Sequence, residues 1–287
     1  MQISPEVFKK RRRRNALFHR LFLMATYFGV FVLAVLLWDI ARDGFRHLDW
    51  HFLTNFASRF PEKSGVYAAL MGTVWVIGLT IPVILVVGIG TAIYLEEYQD
   101  KNRWTRFIQL NINNLAGVPS IIYGILGLAI FVRFFGLGFV VIAGTLTMAL
   151  LILPIVIVAA QEAIRSVPPT LRNASYALGA TKWQTVSKVV LPVALPGILT
   201  GTILALSRAV GETAPLIMVG AVTYVRFVPD SLLDPYTVLP IQIYSWLTLP
   251  KQEFHELAAA AILVLLILLI LMNASAIYIR NKFQKRF

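Results

Sequence analysis

Residues 258–279 read AAAAILVLLILLILMNASAIYI, with no charged residue and almost no polar group before Asn273. An α-helix rises 1.5 Å per residue, so this stretch is long enough to cross a hydrocarbon layer of roughly 30 Å. It predicts a transmembrane helix at the lipid-facing edge of a bundle.

Five further apolar windows have the same property, and six spans are predicted: 20–40, 67–94, 108–132, 139–160, 196–221 and 257–279. The 287-residue chain is 58% hydrophobic and 14% charged, with a mean hydropathy of +0.74, which soluble domains rarely combine. No polar stretch is long enough to form a separate soluble domain. The fold class expected is therefore an all-α polytopic membrane protein.

The distribution of charge predicts the orientation. Of the 26 lysines and arginines, 18 fall on the side that holds both termini and 7 on the other, while Arg208 lies within a span. Because cytoplasmic loops are enriched in Lys and Arg, both termini are expected in the cytoplasm. The same distribution places the basic residues at the ends of spans, so no nucleic-acid partner is expected despite the net charge of +12. The predicted organisation is a basic arm 1–19, first span 20–40, external loop 41–66, permease core 67–280 with cytoplasmic segment 161–195, and tail 281–287.

The basic run KKRRRR at 9–14 before the first span could belong to a cleaved signal peptide. The apolar stretch that follows is long for one, and DIARDGF after it lacks a small-x-small cleavage site. An uncleaved first span is the favoured interpretation.

The sequence excludes several kinds of catalytic and metal-binding site or gives only weak support for them. The chain has no cysteine, so disulfides and cysteine-ligated metals are excluded. The dipeptide Gly-Lys of a Walker A loop never occurs, and the hydrolase and metalloprotease motifs are missing as well. His47 and His51 are spaced i, i+4, which suits zinc on a helix, but without a third ligand an interfacial helix is favoured and no metal site is predicted.

Two spans contain a proline between glycines, at 78–90 and 115–127, and both are predicted to be broken, with an ordinary kink as the alternative. The second break gives a possible gate, formed by Asn114, Gly117, Pro119 and Ser120. Asn111, Asn113 and Asn114 are expected to bond between helices, with solvation of an anion as the alternative. Tyr123 is expected to pack and not to gate.

The stretch LSRAVGETAPL at 206–216 places Arg208 and Glu212 four residues apart in the fifth predicted span. Each charge costs about 2.5–3.5 kcal/mol at the bilayer centre, so a polar interior is expected around them. A guanidinium suits a tetrahedral oxyanion, and a nearby carboxylate would weaken its hold enough for passage. Thr213 adds a hydroxyl to this predicted substrate path. The alternative is an ion pair that only locks two spans together.

The cytoplasmic segment 161–195 is expected to begin with a short helix, Leu171 to Leu178, capped by Thr170 and closed by Gly179. A second amphipathic piece should follow and end at Pro192. From composition alone this segment could be no more than an interfacial surface loop.

The segment resembles the cytoplasmic motif of ABC importer permeases, E-A-A, three residues, G, nine residues, I, one residue, L-P. Its counterparts here are Asn173-Ala174-Ser175, Gly179, Val189 and Leu191-Pro192, with Asn173 and Ser175 as departures. SRAVGETAPL, RFIQLNINNLAGVPSIIYGILGL (106–128) and LGATKWQTVSKVVLP (178–192) are similar to the A-type permease of the phosphate-specific importers, and the similarity extends over most of 66–280.

This resemblance implies a type I importer permease (MetI-like) fold in the bacterial inner membrane, a homologous second permease, two cytoplasmic ATPase copies that use ATP and Mg, and an external phosphate-binding protein. It assigns ATPase coupling to Leu171, Asn173, Ala174, Ser175, Leu178 and Gly179, and it implies that the chain itself binds no cofactor. The expected function is phosphate import. Alternatives are another oxyanion such as sulfate or molybdate, an intramembrane enzyme with Glu212 as base, or a structural subunit.

Overall fold

The computed structural model describes residues 5–100, 102–221 and 224–283, and within them the fold is built from helices. The helices are α1 (Pro5–Gly44), α2 (Trp50–Thr54), α3 (Tyr67–Tyr98), α4 (Arg103–Leu115), α5 (Ser120–Phe134), α6 (Val141–Arg165), α7 (Pro169–Ala177), α8 (Lys182–Val210), α9 (Ala214–Met218), α10 (Leu239–Leu247) and α11 (Gln252–Phe283).

Five helices, α1, α3, α6, α8 and α11, are long and apolar enough to cross a membrane. The pair α4 and α5 is bent by 107° and makes a sixth crossing if it counts as one span. The predicted all-α, multi-pass class is confirmed.

Helix α6 lies at the centre of the bundle, where α3, α5 and α8 pack around it and bury most of its apolar window. Helix α1 is at the edge: it packs on α11, and its apolar window stays exposed along its length. The N-terminal part of α11, including Ala258 and Ala261, is buried where α1 and α10 pack on it, so only its C-terminal part fits the predicted lipid-facing edge. Small residues there allow α1 to approach closely, because a Cβ at Gly44 would lie 2.8 Å from the carbonyl carbon of Ala259.

The prediction of a break at Pro82 is wrong, whereas the break at Pro119 is confirmed. Helix α3 continues through Pro82 as an α-helix to Ile84, followed by a π-helical turn at Leu85–Ile89. A proline removes one backbone hydrogen bond, at about 3 kcal/mol, and the packing of α3 along α6 outweighs that loss. Between α4 and α5 the chain leaves the helical path at Gly117, and Pro119 starts the new direction.

The predicted end of a helix at Pro192 is also wrong. Helix α8 runs without interruption from Lys182 to Val210. A π-helical turn at Val186–Val190 widens the backbone just before Pro192, which relieves the clash of the ring with the preceding turn. The predicted span 196–221 therefore begins earlier, and its helix ends at Val210.

The segment after α9 folds back onto the bundle and was not predicted. The amides of Val141 and Ile142 donate to the carbonyls of Asp234 and Leu232, at 3.0 Å each, which satisfies the first turn of α6. Tyr236 is fully buried against Gly144, where any Cβ would overlap the phenol, and burial raises the pKa of Tyr236. This segment closes one end of the bundle and leads into α10, a further helix that the apolar windows missed.

Candidate substrate path and coupling surface

The predicted path residues Arg208, Glu212 and Thr213 meet where α8 ends and α9 begins. Arg208 lies in the last turn of α8, and Nε of its guanidinium donates to Oε1 of Glu212 at 3.2 Å. The predicted pairing is confirmed, but its setting differs, because Gly211 ends the helix between the two residues. The Glu212 amide donates to the carbonyl of Ala209 at 3.1 Å, and this turn brings its carboxylate back to Arg208.

Close contacts between helices give the depth of this pair. Gly197 lies against Ala163 and Gly201 lies against Ala159, so α8 and α6 run antiparallel. Arg208 is seven residues beyond Gly201, or about 10 Å further along the helix. It therefore lies at the level of the middle of α6, which is 25 residues long.

The two side chains of the pair differ in exposure. The Arg208 side chain is 55% exposed on the surface of this chain, whereas that of Glu212 is 16% exposed. One residue earlier, Ser207 lies 2.7 Å from Oδ1 of Asn273 and so faces α11. The pair therefore lies at the end of α8 within one continuous stretch of chain, with the Arg208 side chain exposed there.

The residues of the predicted gate lie at the bend between α4 and α5. Asn114 belongs to the last turn of α4, Gly117 and Pro119 form the bend, and Ser120 starts α5. Tyr123 is buried, and its hydroxyl donates to the carbonyl of Leu115 at 2.7 Å, which holds the bend closed and fits the packing role expected for it.

The bend is connected to the charged pair through α9. At Gly124 a Cβ would lie 2.7 Å from Cα of Pro215, so α5 and α9 are in backbone contact. The segment that carries Glu212 and Thr213 leads directly into this contact.

The interhelical role expected for the asparagines of α4 is not observed. Asn111 donates to the carbonyl of Phe107 and Asn113 accepts from Gln109, both within α4. The bond between helices is made instead by Gln109 and Gln161, whose amides exchange hydrogen bonds of 3.0 and 2.7 Å. Sequence reasoning missed this pair because its members lie 52 residues apart.

The predicted coupling residues lie on and just after α7. The helix begins at Pro169 and ends at Ala177, so the predicted short helix is confirmed, although Pro168 and not Thr170 precedes it. Gly179 has φ +79°, as the predicted closing turn requires. None of the nine residues of α7, all of them described, is buried.

This segment exposes apolar side chains. Leu178 is 89% exposed, and Leu171, Tyr176 and Trp183 are exposed beside it. Asn173 and Ala174 are exposed as well, whereas Ser175 lies 2.9 Å from the hydroxyl of buried Thr185 in α8. The departure at Ser175 therefore provides a hydrogen bond that alanine could not make.

The acidic residues Glu96 and Glu97, at the end of α3, each bond to an arginine of another helix. Glu96 accepts from Nη2 and Nε of Arg165 at 2.6 and 2.9 Å. Glu97 accepts from Nη2 and Nε of Arg172 at 2.8 and 3.1 Å. These pairs fasten α3 to α6 and to α7.

The two histidines considered for zinc do not share a helical face. His47 lies in a short 3-10 turn after α1 and contacts Glu256 at 3.4 Å, while His51 lies in α2. Among the described residues, no three His, Cys, Asp or Glu side chains are grouped as a metal site would need.

Residues 84–287 match the family model described as binding-protein-dependent transport system inner membrane component. The chain is 34% identical over 292 residues to phosphate transport system permease protein PstA 1 of Mycobacterium tuberculosis (strain CDC 1551 / Oshkosh), covering 97% of this chain and 93% of that protein.

Two solved structures share the fold. A chain of the MetNI methionine ABC transporter in inward-facing conformations has a TM-score of 0.62 at 20% identity, covering 77% of this chain and 98% of that one. A chain of a bacterial ABC transporter involved in the import of alginate has a TM-score of 0.67 at 17% identity, covering 98% and 100%. The chain thus belongs to the binding-protein-dependent transport system inner membrane components, as a multi-pass ABC importer permease of the kind found in phosphate transport systems.

Proposed function

We propose that this chain is one of two permease subunits of an ATP-driven importer that carries inorganic phosphate into the cytoplasm by alternating access. Phosphate as the substrate is supported by relatives that are named phosphate transport system permease proteins and that align with 97% of this chain. The observation that carries the proposal is the exposed Arg208 side chain halfway across the bundle. A cation at that depth would not face lipid, so a second surface must cover it and leave a polar space between the two.

A homologous second permease provides that surface in this proposal. The Arg208 guanidinium offers a planar fork of donors to two oxygens of a phosphate in the shared space. Glu212 competes for the same guanidinium and so keeps the anion from being held too firmly. A movement at the bend from Gly117 to Ser120 then opens this site to one side of the membrane or to the other.

The energy comes from partner subunits, because the sequence has no phosphate-binding loop of its own. Two copies of a cytoplasmic ATPase bind ATP and Mg and dock on α7 and the start of α8, where Leu178, just after α7, and Trp183 offer apolar surface. An external phosphate-binding protein delivers the anion. With α7 facing the ATPase, both termini lie in the cytoplasm.

Uptake of labelled phosphate into proteoliposomes that contain all subunits tests this function. Unlabelled phosphate and arsenate share charge and geometry, so both should inhibit the uptake of labelled phosphate. With a tenfold excess of sulfate or molybdate, at least about half of the uptake of labelled phosphate should remain. If sulfate or molybdate inhibits more strongly than unlabelled phosphate, the substrate is another oxyanion and the proposal fails.

A further inference from the structure

Helix α7 is held to the transmembrane bundle mainly by polar contacts. Apolar packing contributes little, since its residues stay unburied. Arg172 makes the main connection: Nη1 donates to the carbonyl of Val167 at 2.6 Å, and Nη2 donates to the carbonyl of Ile164 at 2.8 Å. The same guanidinium donates through Nε and Nη2 to Glu97. One side chain thus joins α7 to the ends of both α6 and α3.

This pair is largely removed from solvent. The side chains of Arg172 and Glu97 are 19% and 8% exposed. If one partner is lost, the other charge is left buried and unpaired, which is strongly unfavourable. The two side chains are therefore expected to stay bonded to each other. At the other end of α7, the contact of Ser175 with Thr185 ties the helix to α8.

The neighbouring pair differs in the elements it connects. Glu96 binds Arg165, which belongs to α6, and the Arg165 side chain is 47% exposed. The two consecutive carboxylates of α3 therefore have separate partners: Glu96 joins two membrane-crossing helices, whereas Glu97 joins a membrane-crossing helix to α7.

We propose that Arg172 and Glu97 are positioning residues that transmit a displacement of α7 to α3 and α6, and so convert ATP hydrolysis into movement of the transmembrane bundle. This inference rests on the proposed ATP-driven transport. The Arg172 guanidinium makes four hydrogen bonds, two to the Glu97 carboxylate and one each to the carbonyls of Ile164 and Val167, so a shift of α7 moves the end of α3. Since α3 packs along α6, the movement reaches the level of Arg208.

The test compares Glu97→Gln with the matched control Glu96→Gln in complexes of all subunits. Uptake of labelled phosphate and ATP hydrolysis are measured in the same proteoliposomes. Phosphate taken up per ATP should fall about tenfold in Glu97→Gln, while ATP hydrolysis and copurification of the ATPase stay within about twofold. Glu96→Gln should keep the parent ratio within about twofold. Arg172→Lys, which keeps the charge and loses the fork, should fall in between.

Equal ratios in the two glutamate variants would overturn the inference, and so would a proportional loss of uptake and hydrolysis in Glu97→Gln. Uptake by the parent complex reports separately on the proposed function.

A second measurement does not depend on the substrate. Because the chain has no cysteine, spin labels can be placed through Thr170→Cys, on exposed α7, and Asp100→Cys in the assembled complex. In the parent, the distribution of distances between the two labels should be narrow with and without ATP. In the Glu97→Gln background, this distribution should broaden when ATP is added. An unchanged distribution in that background would overturn the inference.

Discussion

In the proposed transport function, Arg208 and Glu212 have different roles at the anion site. The arginine is the more exposed of the two and carries the charge that attracts phosphate, while the better-shielded carboxylate limits how tightly the anion is held. Thr213, which immediately precedes α9, can offer a neutral hydroxyl beside them.

Glu212→Gln should therefore bind phosphate more tightly and release it more slowly. The expected result is a lower KM together with a turnover reduced about tenfold, measured as phosphate uptake by the reconstituted complex. Glu162→Gln is the matched control, because Glu162 also contacts an arginine but lies at the end of α6 on the exposed surface. A raised KM with unchanged turnover in Glu212→Gln would contradict this role.

Local spacing was enough to predict some contacts at the residue scale but not others. The pairing of Arg208 with Glu212 follows from four residues of separation, although the sequence did not show that the helix would end between them. The bonds of Glu96 and Glu97 join residues 69 and 75 positions apart, and no local pattern encodes them. Tertiary packing brings their partners, Arg165 on α6 and Arg172 on α7, next to the end of α3.

At the scale of elements, α7 is a short helix that presents apolar side chains outward. Burial of one leucine contributes about 1.5–3 kcal/mol, so Leu178→Asp should weaken association with the ATPase at least about tenfold. This loss is measured as the amount of ATPase that copurifies with the permease in detergent solution as the salt concentration is raised. Leu233→Asp is the control, since Leu233 is also exposed but lies in the segment between α9 and α10. Equal retention of the ATPase by both variants would rule out α7 as the docking surface.

Prolines show how far helix boundaries follow from sequence. At Pro119 the flanking glycines weaken the helix on both sides, and the break predicted there is found. At Pro82 and Pro192 the same reasoning fails, because π-helical turns and packing on α6 keep the backbone helical. Hydropathy windows found every long helix, but they could not show that α4 turns away from α5 by 107°.

At the scale of the whole molecule, the two ends of the bundle differ. One end carries α7, where the ATPase is proposed to dock, and the other carries the segment that inserts Tyr236 beside Gly144. The lysine and arginine distribution predicts which end faces the cytoplasm, whereas the inserted segment was not predictable, because its anchors bond to α3 and α6 far away in sequence.

The orientation can be measured directly, because the chain is free of cysteine. In intact cells a membrane-impermeant maleimide should label Leu233→Cys and should label Leu178→Cys only after the membrane is permeabilised. Both positions are exposed in the chain, so reactivity reports sidedness when the ATPase is left out of the expression. The reverse pattern would contradict cytoplasmic termini.

In the proposed function Arg208 faces a route for phosphate through the middle of the assembly, and phosphate uptake by a complex that carries Arg208→Gln tests this role. We predict that this complex assembles normally and loses phosphate uptake at least about a hundredfold, because the substitution removes the charge proposed to bind the anion. Arg133→Gln, which neutralises an exposed arginine at the far end of α5 from the bend, should keep uptake within about twofold. Normal phosphate uptake by a fully assembled Arg208→Gln complex would contradict this role.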